Sequence, residues 1–384
     1  MDKKIKVMAM IWSMGNGGAQ KVVLQNAIAL HRDKDIEFKI YVFNPPTDSI
    51  YDRTIRKLCY DADGTVTYLG YPKSRIKTKF IRGPFNLSIA RTAWADAIRR
   101  EQPDIVHVHI DELLYEVLPG IEEADVPVRF DSLHSDPRRY KGRKLHLIRK
   151  AFQDDGFIAL CLTNMQQGIA KEYYGFKHSE ILRNGLDFDK IRSRIVSREE
   201  SRKMLDIPAE AYVFACVGRL QPVKNYPFLI RLLPQLIRRK PKTLMIFAGE
   251  GEQLPELKKL AQSLGVMEHI RFIGQQSDVV PVYRAADVFC MSSTSESSPL
   301  VLLEAQACGC RCVISNGVPE ESIITDRVCR MAADAAEEEW VTALLDDGFT
   351  GTHTLSEADY SLDFANKQLK SIYLKYWNEY NEKS

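Results

Sequence analysis

No stretch of this sequence approaches the roughly 18 consecutive apolar residues of a membrane-spanning helix, so none is expected. The opening Met1-Asp-Lys-Lys-Ile-Lys6 has no apolar core of the signal-peptide kind, and the expected location is the cytoplasm. Cys-x-x-Cys spacing is missing although there are 8 cysteines. Cys308, Cys310 and Cys312 alternate across a helix end and a strand, a poor chelating geometry, and reduced structural thiols are the expectation. Neither sign of charge dominates, with 53 Lys and Arg against 51 Asp and Glu. A composition of 45% hydrophobic and 27% charged residues is that of a soluble globular protein, and 384 residues suffice for two domains.

The near balance of charge hides an asymmetry. Residues 1–190 hold 30 Lys and Arg against 25 Asp and Glu, or +5; the remainder holds 23 against 26, or −3. Two segments carry most of the excess, Lys73-Ser-Arg-Ile-Lys-Thr-Lys-Phe-Ile-Arg82 and Arg138-Arg-Tyr-Lys-Gly-Arg-Lys-Leu-His-Leu-Ile-Arg-Lys150. A solvated surface explains them, and so does docking on an anionic membrane face, where each cation is worth about 1 kcal/mol. No nucleic-acid module accompanies the charge, and no nucleic-acid partner is expected.

Strand and helix patterns alternate twice over. In the first half, Ile5–Ile11, Phe38–Phe43, Thr65–Leu69, Ile105–His109, Val128–Leu133 and Phe157–Leu162 read as strands, with helices from Ala19 to Leu30 and about Phe85 to Arg100. A second set begins after Asn184-Gly185, with strands at Tyr212–Val217, Thr243–Ala248, Ile270–Ile273, Val288–Met291 and Arg311–Ile314. Strands separated by helices predict parallel, doubly wound sheets, here two Rossmann-like domains with ligand in the cleft facing both. The expected division is 1–185, 186–357 and a terminal helix at 358–384, with Ala365, Leu369, Ile372, Tyr373, Tyr376, Trp377 and Tyr380 on one face.

Glu296-Ser-Ser-Pro-Leu-Val-Leu-Leu-Glu304 brackets a helix start. Pro299 suits a first helical turn and Gly309 a helix end. The unpaired N–H groups of such a terminus attract an anion or a hydroxyl-rich ligand, with Glu296 at the mouth and Glu304 within reach. Gly218-Arg219-Leu-Gln-Pro-Val-Lys224-Asn225 follows the apolar run 212–217 and projects two cations from one loop, a fork and a point charge suited to phosphate. Together these two segments resemble the donor site of the retaining GT-B glycosyltransferases of family 4. The resemblance implies that Arg219 and Lys224 neutralise a nucleotide diphosphate, that Glu304 holds ribose hydroxyls and that Glu296 lies against the transferred sugar. Ser298, Pro299, Leu300 and Val301 at the helix start would then contact the donor. The Asn184-Gly185-Leu-Asp187 turn resembles the same family's linker, and its last helix crosses back to the first domain.

Asn16-Gly17-Gly18-Ala19-Gln20 follows the first strand and opens a helix. It is not Gly-x-Gly-x-x-Gly, which leaves nicotinamide binding poorly supported. It looks like the family's Gly-Gly-Ala-Glu loop, which implies that Gly17 and Gly18 approach the donor. His134 matches the histidine that touches the donor sugar or diphosphate, and His109 the second His of a Val-His-x-His stretch; hydrogen-bonded structural roles compete for both. Gly249 and Ile273 end strands in segments resembling the family's Gly-x-Gly turn and base-reading loop. Asp61-Ala-Asp63 has the metal-binding Asp-x-Asp form but precedes Gly64 and reads as a turn. With Arg219 and Lys224 supplying positive charge, no metal or other cofactor is expected.

The implied activity is transfer of a sugar from a nucleotide donor, UDP-linked above all, to a saccharide or lipid-linked acceptor, with retention of configuration. Val301-Leu-Leu-Glu-Ala-Gln306 and the Trp340 region look most like bacterial exopolysaccharide and capsule transferases, and imply a place on the inner face of the cell membrane. A UDP-sugar 2-epimerase on the same fold and a non-catalytic nucleotide-sugar-binding subunit are the alternatives. Two departures bear on the donor: Ser297-Ser298 stands where the family has Gly-Phe or Gly-Leu, and Ser315-Asn-Gly317-Val318 replaces a Gly-Gly pair.

Overall fold

The computed structural model describes residues 3–15, 17–60, 65–70, 84–332, 334–346, 348 and 356–383. The chain divides into two units, Met1–Gly185 with Leu362–Ser384, and Leu186–Ser361.

In the first unit seven strands, β1 (Ile5–Ile11), β2 (Ile36–Val42), β3 (Val66–Tyr68), β4 (Ile105–His109), β5 (Val128–Ser132), β6 (Ile158–Cys161) and β7 (Ser179–Ile181), lie in the order β3-β2-β1-β4-β5-β6-β7. Every pairing is parallel. Its helices are α1 (Gly18–Leu30), α2 (Ile50–Tyr60), α3 (Pro84–Glu101), α4 (Leu114–Glu123), α5 (Gly142–Gln153) and α6 (Asn164–Tyr174). The period-2 alternation of β1 divides its side chains between two cores. Met8 and Met10 join Trp94, Val106 and Val117 on one face, whereas Val7, Ala9 and Ile11 join Val23, Phe130 and Tyr373 on the other. Burial on both faces is why β1 reads as an almost unbroken apolar run.

In the second unit six strands, β8 (Tyr212–Val217), β9 (Thr243–Ala248), β10 (Ile270–Gly274), β11 (Val288–Met291), β12 (Arg311–Ser315) and β13 (Val328–Met331), follow the order β10-β9-β8-β11-β12-β13, again all parallel. The helices are α7 (Phe188–Arg192), α8 (Arg198–Met204), α9 (Tyr226–Arg239), α10 (Leu254–Ser263), α11 (Val280–Ala285), α12 (Leu300–Ala307) and α13 (Glu337–Leu345). Strand order turns back at β1/β4 in one sheet and at β8/β11 in the other, the points where doubly wound sheets receive ligands.

Two edge strands, β7 and β13, carry no pattern that distinguishes them from loop: Ser-Glu-Ile and Val-Cys-Arg-Met are too short to show a period. The terminal helix, α14 (Leu362–Lys383), begins later than residue 358 because Glu357–Tyr360 forms a 3₁₀ turn, closed by Ser356 N and Oγ on Asp359 Oδ2, each at 2.8 Å. Tyr360 is buried in the second unit, where its hydroxyl donates to the Glu321 carbonyl at 2.8 Å. From Leu362 the chain belongs to the first unit again, and α14 buries Ala365, Leu369, Ile372 and Tyr373 there. Burying Leu369 and Ile372 contributes roughly 1.5–3 kcal/mol each.

Candidate functional site

In the second unit the loops after β8 and β9 run side by side. Gly218 N donates to Ala248 O at 3.0 Å and Leu220 N to Glu250 O at 2.9 Å. The crossing is so tight that a Cβ on Gly249, at φ 156°, would stand 2.0 Å from the Gly218 carbonyl oxygen. Past the exposed Arg219 the loop turns through Pro222–Lys224 and closes on Asn225 at φ 50°, the left-handed region that Asn tolerates. The loop after β11 grips this turn. Ser292 Oγ donates to the Lys224 and Asn225 carbonyls, both at 3.0 Å, and Thr294 N donates to Val223 O at 2.8 Å.

The clamp sets Lys224 Nζ 2.7 Å from Glu296 Oε1, with each side chain only 15% exposed. At that burial the pair is charge-assisted and partly shielded from water, unlike a surface ion pair. Glu296 is fixed in turn by its own N–H on Gly317 O at 2.9 Å. A Cβ at Gly317 would stand 2.4 Å from Ser293 O, so a glycine is required there although the Gly-Gly pair is absent.

Pro299 is the residue that caps α12 rather than the first in its helical turn, and Leu300 begins the helix. The first turn holds no acidic residue and no side-chain cap, which leaves its positive end open to a ligand. Ser298 and Leu300 are buried at this start and Val301 is half-buried. Glu304 Oε2 accepts a hydrogen bond from Tyr283 at 3.2 Å; burial, with Glu304 beside it, holds the Tyr283 phenol protonated. Ile273 stands at the end of β10, where its carbonyl accepts from Gln276 Nε2 at 2.7 Å. No sequence signal singles out Tyr283, Ser292 or Gln276; the first two act through tertiary contacts and Gln276 through a local one within its own loop.

In the first unit Gly17 caps α1 in extended backbone, and Lys21 N donates to its carbonyl at 3.0 Å. Gly18 begins the helix in open space, with no acidic residue in the first turn. His109 and His134 meet at the ends of neighbouring strands, Nδ1 to Nε2 at 3.2 Å. His107 extends the group: its Nδ1 is 2.5 Å from Tyr373 Oη on α14 and its Nε2 is 2.7 Å from Ser132 Oγ. The rings stack, with centroids 4.1 Å apart for His107 and His109 and 5.5 Å for His109 and His134. Burial pushes His107 down to about 3 and His134 to about 4, and His109 well below the ordinary range, so all three are neutral at pH 7. His109 is a buried partner of His134, stacked between it and His107.

Most cations of the second basic segment are engaged. Lys150 pairs with Glu122 at 2.5 Å and Asp155 at 2.7 Å, Lys144 pairs with Glu112, and Arg138 pairs with Asp136 at 2.6 Å. Arg149 donates to Tyr173 O at 2.8 Å. Lys141 and Arg143 are exposed and have no ion pair among the described residues. Asn16, Asp61–Gly64 and the first basic segment, 73–82, lie outside the described residues. Among the described residues no helix is long and apolar enough to cross a membrane, and no three His, Cys, Asp or Glu are grouped to hold a metal.

Residues 197–347 match the family Glycosyl transferases group 1. EpsF of Bacillus subtilis, whose name places it among the glycosyltransferases, is 26% identical over 327 residues, 82% of this chain and 80% of that protein. The UDP-Gal:alpha-D-GlcNAc-diphosphoundecaprenol alpha-1,3-galactosyltransferase of Escherichia coli is 27% identical over 57% of this chain and 59% of its own length. A D-inositol 3-phosphate glycosyltransferase of Saccharomonospora viridis is 37% identical over 42% of this chain and 39% of its own. Among solved structures, Anabaena HepE in complex with UDP and glucose superposes with a TM-score of 0.75 at 18% identity, over 97% of this chain and 100% of that one. WaaG, a glycosyltransferase involved in lipopolysaccharide biosynthesis, does so with 0.67 at 16% identity and 95% coverage of both.

Proposed function

This chain is a glycosyltransferase with a group 1 domain at residues 197–347 on a GT-B fold, and on that premise we propose that it transfers a sugar, with retention, from a UDP-sugar to a hydroxyl of a lipid-linked saccharide. The observation that carries this reading is the contact of Lys224 with Glu296 on two mutually clamped loops at the β8/β11 switch point. An ammonium has three N–H donors, so Lys224 can keep Glu296 and still give hydrogen bonds to a diphosphate. Arg219 from the same loop supplies the second cation, and the open start of α12 supplies backbone N–H groups.

In this scheme the acceptor oxygen attacks the anomeric carbon on the face the leaving group departs from. The bond from that carbon to the phosphate oxygen breaks, and the acceptor proton passes to the departing diphosphate. Arg219 and Lys224 stabilise the charge that develops there, usually the largest single contribution to such a barrier, and no metal is required. Glu304, steadied by Tyr283, binds the ribose hydroxyls, while Glu296 orients the sugar. Gly17, Gly18 and the neutral His134, with His109 as support, are the further donor contacts that the family resemblance implies, and Gly249 and Ile273 border the nucleotide. The lipid-linked acceptor draws support from the galactosyltransferase relative, and UDP from that relative and from HepE. The working place is the cytoplasmic face of a membrane, reached through Lys141, Arg143 and the 73–82 segment.

Purified protein incubated with UDP-, GDP- and ADP-sugars, with and without EDTA, tests the donor. Release of UDP from one donor, unchanged by EDTA, is the expected result. Turnover of GDP- or ADP-sugars alone, or activity abolished by EDTA, would overturn the corresponding element of the proposal. A free epimerised sugar as product would favour the epimerase instead.

A further inference from the structure

At the other end of the second sheet's strands, where β11, β12 and β13 begin, lies a cavity of about 180 Å³. Four arginines line it, Arg198, Arg284, Arg311 and Arg327, against the single carboxylate of Asp287. That carboxylate is already committed. It pairs with Arg198 on one oxygen and with Arg202 at 3.0 Å on the other, and it accepts from Val213 N at 2.7 Å.

Among the described residues, the other three guanidinium groups are held by backbone carbonyls. Arg284 donates through Nε to Val196 O at 3.4 Å and through Nη1 to Cys308 O at 3.1 Å. Arg311, 4% exposed, donates to Ala343 O at 2.9 Å and Leu344 O at 2.5 Å. Arg327 donates to Gly309 O at 2.8 Å. Carbonyls orient a guanidinium without cancelling its charge, and each guanidinium has five N–H donors, so donors remain on all three. Like charges gathered around a partly enclosed space repel one another unless an anion joins them. The cysteines beside them supply no such anion: burial pushes the Cys308 and Cys310 thiols up to about 12, leaving them neutral.

We propose that this cavity is a second anion site, which takes the phosphate group of inorganic phosphate or of a phosphomonoester. Planar forks on several sides suit a tetrahedral oxyanion with acceptor atoms in every direction. The cavity is roomy enough for one phosphate group with some hydration, since a single water needs only about 10–15 Å³ of such space. The site shares a side chain with the candidate donor site, because Tyr283 lines the cavity and its hydroxyl donates to Glu304.

Calorimetric titration of inorganic phosphate into the full-length protein, with ionic strength held constant, tests the site without reference to activity. Arg327→Gln alters an exposed side chain and Arg284→Gln a half-buried one; each removes charge-assisted hydrogen bonds and should weaken binding about tenfold, with Arg327→Lys intermediate. Lys224→Gln should leave the Arg327-dependent component of phosphate binding in place. Binding lost in Lys224→Gln and retained in Arg327→Gln would place the anion at the donor loop and overturn the proposal, as would no binding at tens of millimolar phosphate. Competition names the source. Displacement by glycerol phosphate and not by vesicles of phosphatidylcholine and phosphatidic acid assigns a free phosphomonoester, displacement by both assigns a lipid headgroup, and Arg327-dependent binding displaced by neither assigns inorganic phosphate itself.

Discussion

Lys224 and Glu296 come from loops that leave different strands, β8 and β11, and meet at 2.7 Å with little water around them. Each therefore sets the charge the other presents. Replacing Lys224 with Gln should weaken UDP binding by about 1.5–3 kcal/mol, the range for a hydrogen bond to a charged group. Glu296→Gln should bind UDP at least as well as the native protein, since it frees a cation, yet turn over about 10²–10³-fold more slowly if the carboxylate orients the sugar. Calorimetry with UDP and steady-state rates separate the two effects. Undiminished UDP affinity in Lys224→Gln would remove that residue from the donor site.

Gly249 directly follows β9 and Gly18 opens α1, both in strand-to-helix connections but in different surroundings. Gly249→Ala must push apart backbone segments that would otherwise approach to 2.0 Å, at a φ of 156° that alanine rarely adopts, and should cost about 2–4 kcal/mol. Gly18→Ala meets nothing within 4 Å and should change stability by about 0.5 kcal/mol or less. Urea unfolding midpoints decide this. If Gly18→Ala nevertheless depresses turnover, the open start of α1 is a place of close approach to substrate.

Two parallel sheets and both switch-point loops were legible because β1, β8 and β9 are buried on both faces and read as apolar runs. Arg219, Lys224, Glu296 and Glu304 were legible because two strand-to-helix segments carry them. What escaped was made by tertiary contact. Ser292 is an ordinary serine until the strand order sets it beside the 222–225 turn, and Tyr283 looks like any core aromatic until α12 presents Glu304. His107 was visible only as the first histidine of the Val-His-x-His stretch; its bond to Tyr373 depends on α14 returning across 266 positions of sequence.

His107 also sets a sign for the response to acid. Burial holds its folded value at about 3 against an ordinary 6.5, so the unfolded chain takes up the proton first as pH falls. Its stabilising contribution is complete above pH 6.5 and is lost as pH drops from there toward 3, by about 1.4 kcal/mol per pH unit. Asp111 and Asp131 oppose it: burial raises both carboxyls, and their contribution fades as pH rises above the ordinary 3.8. The native curve sums these, so the test is a difference. Guanidinium unfolding of the native chain and of His107→Gln between pH 7 and 4.5 should show stabilities that converge on acidification. A constant gap across that window would mean that His107 is protonated in the folded chain.

The pairing of α5 sharpens the proposed contact with membrane. Lys144 and Lys150 are held by Glu112, Glu122 and Asp155, and their charge is largely answered within the protein. Lys141 and Arg143, at the start of the helix, have no such partners among the described residues and are exposed. If each contributes about 1 kcal/mol at an anionic surface, reversing both as Lys141→Glu with Arg143→Glu should reduce partition onto phosphatidylglycerol vesicles by at least about thirtyfold. The same reversal at Lys144 and Lys150 should lower the melting temperature, because it sets like charges against Glu112 and Glu122. Sedimentation with vesicles at low and high salt reads the first effect, and salt should abolish the binding. Equal vesicle binding by native protein and the Lys141, Arg143 variant would take this helix out of the membrane contact and leave segment 73–82 as the remaining basic candidate.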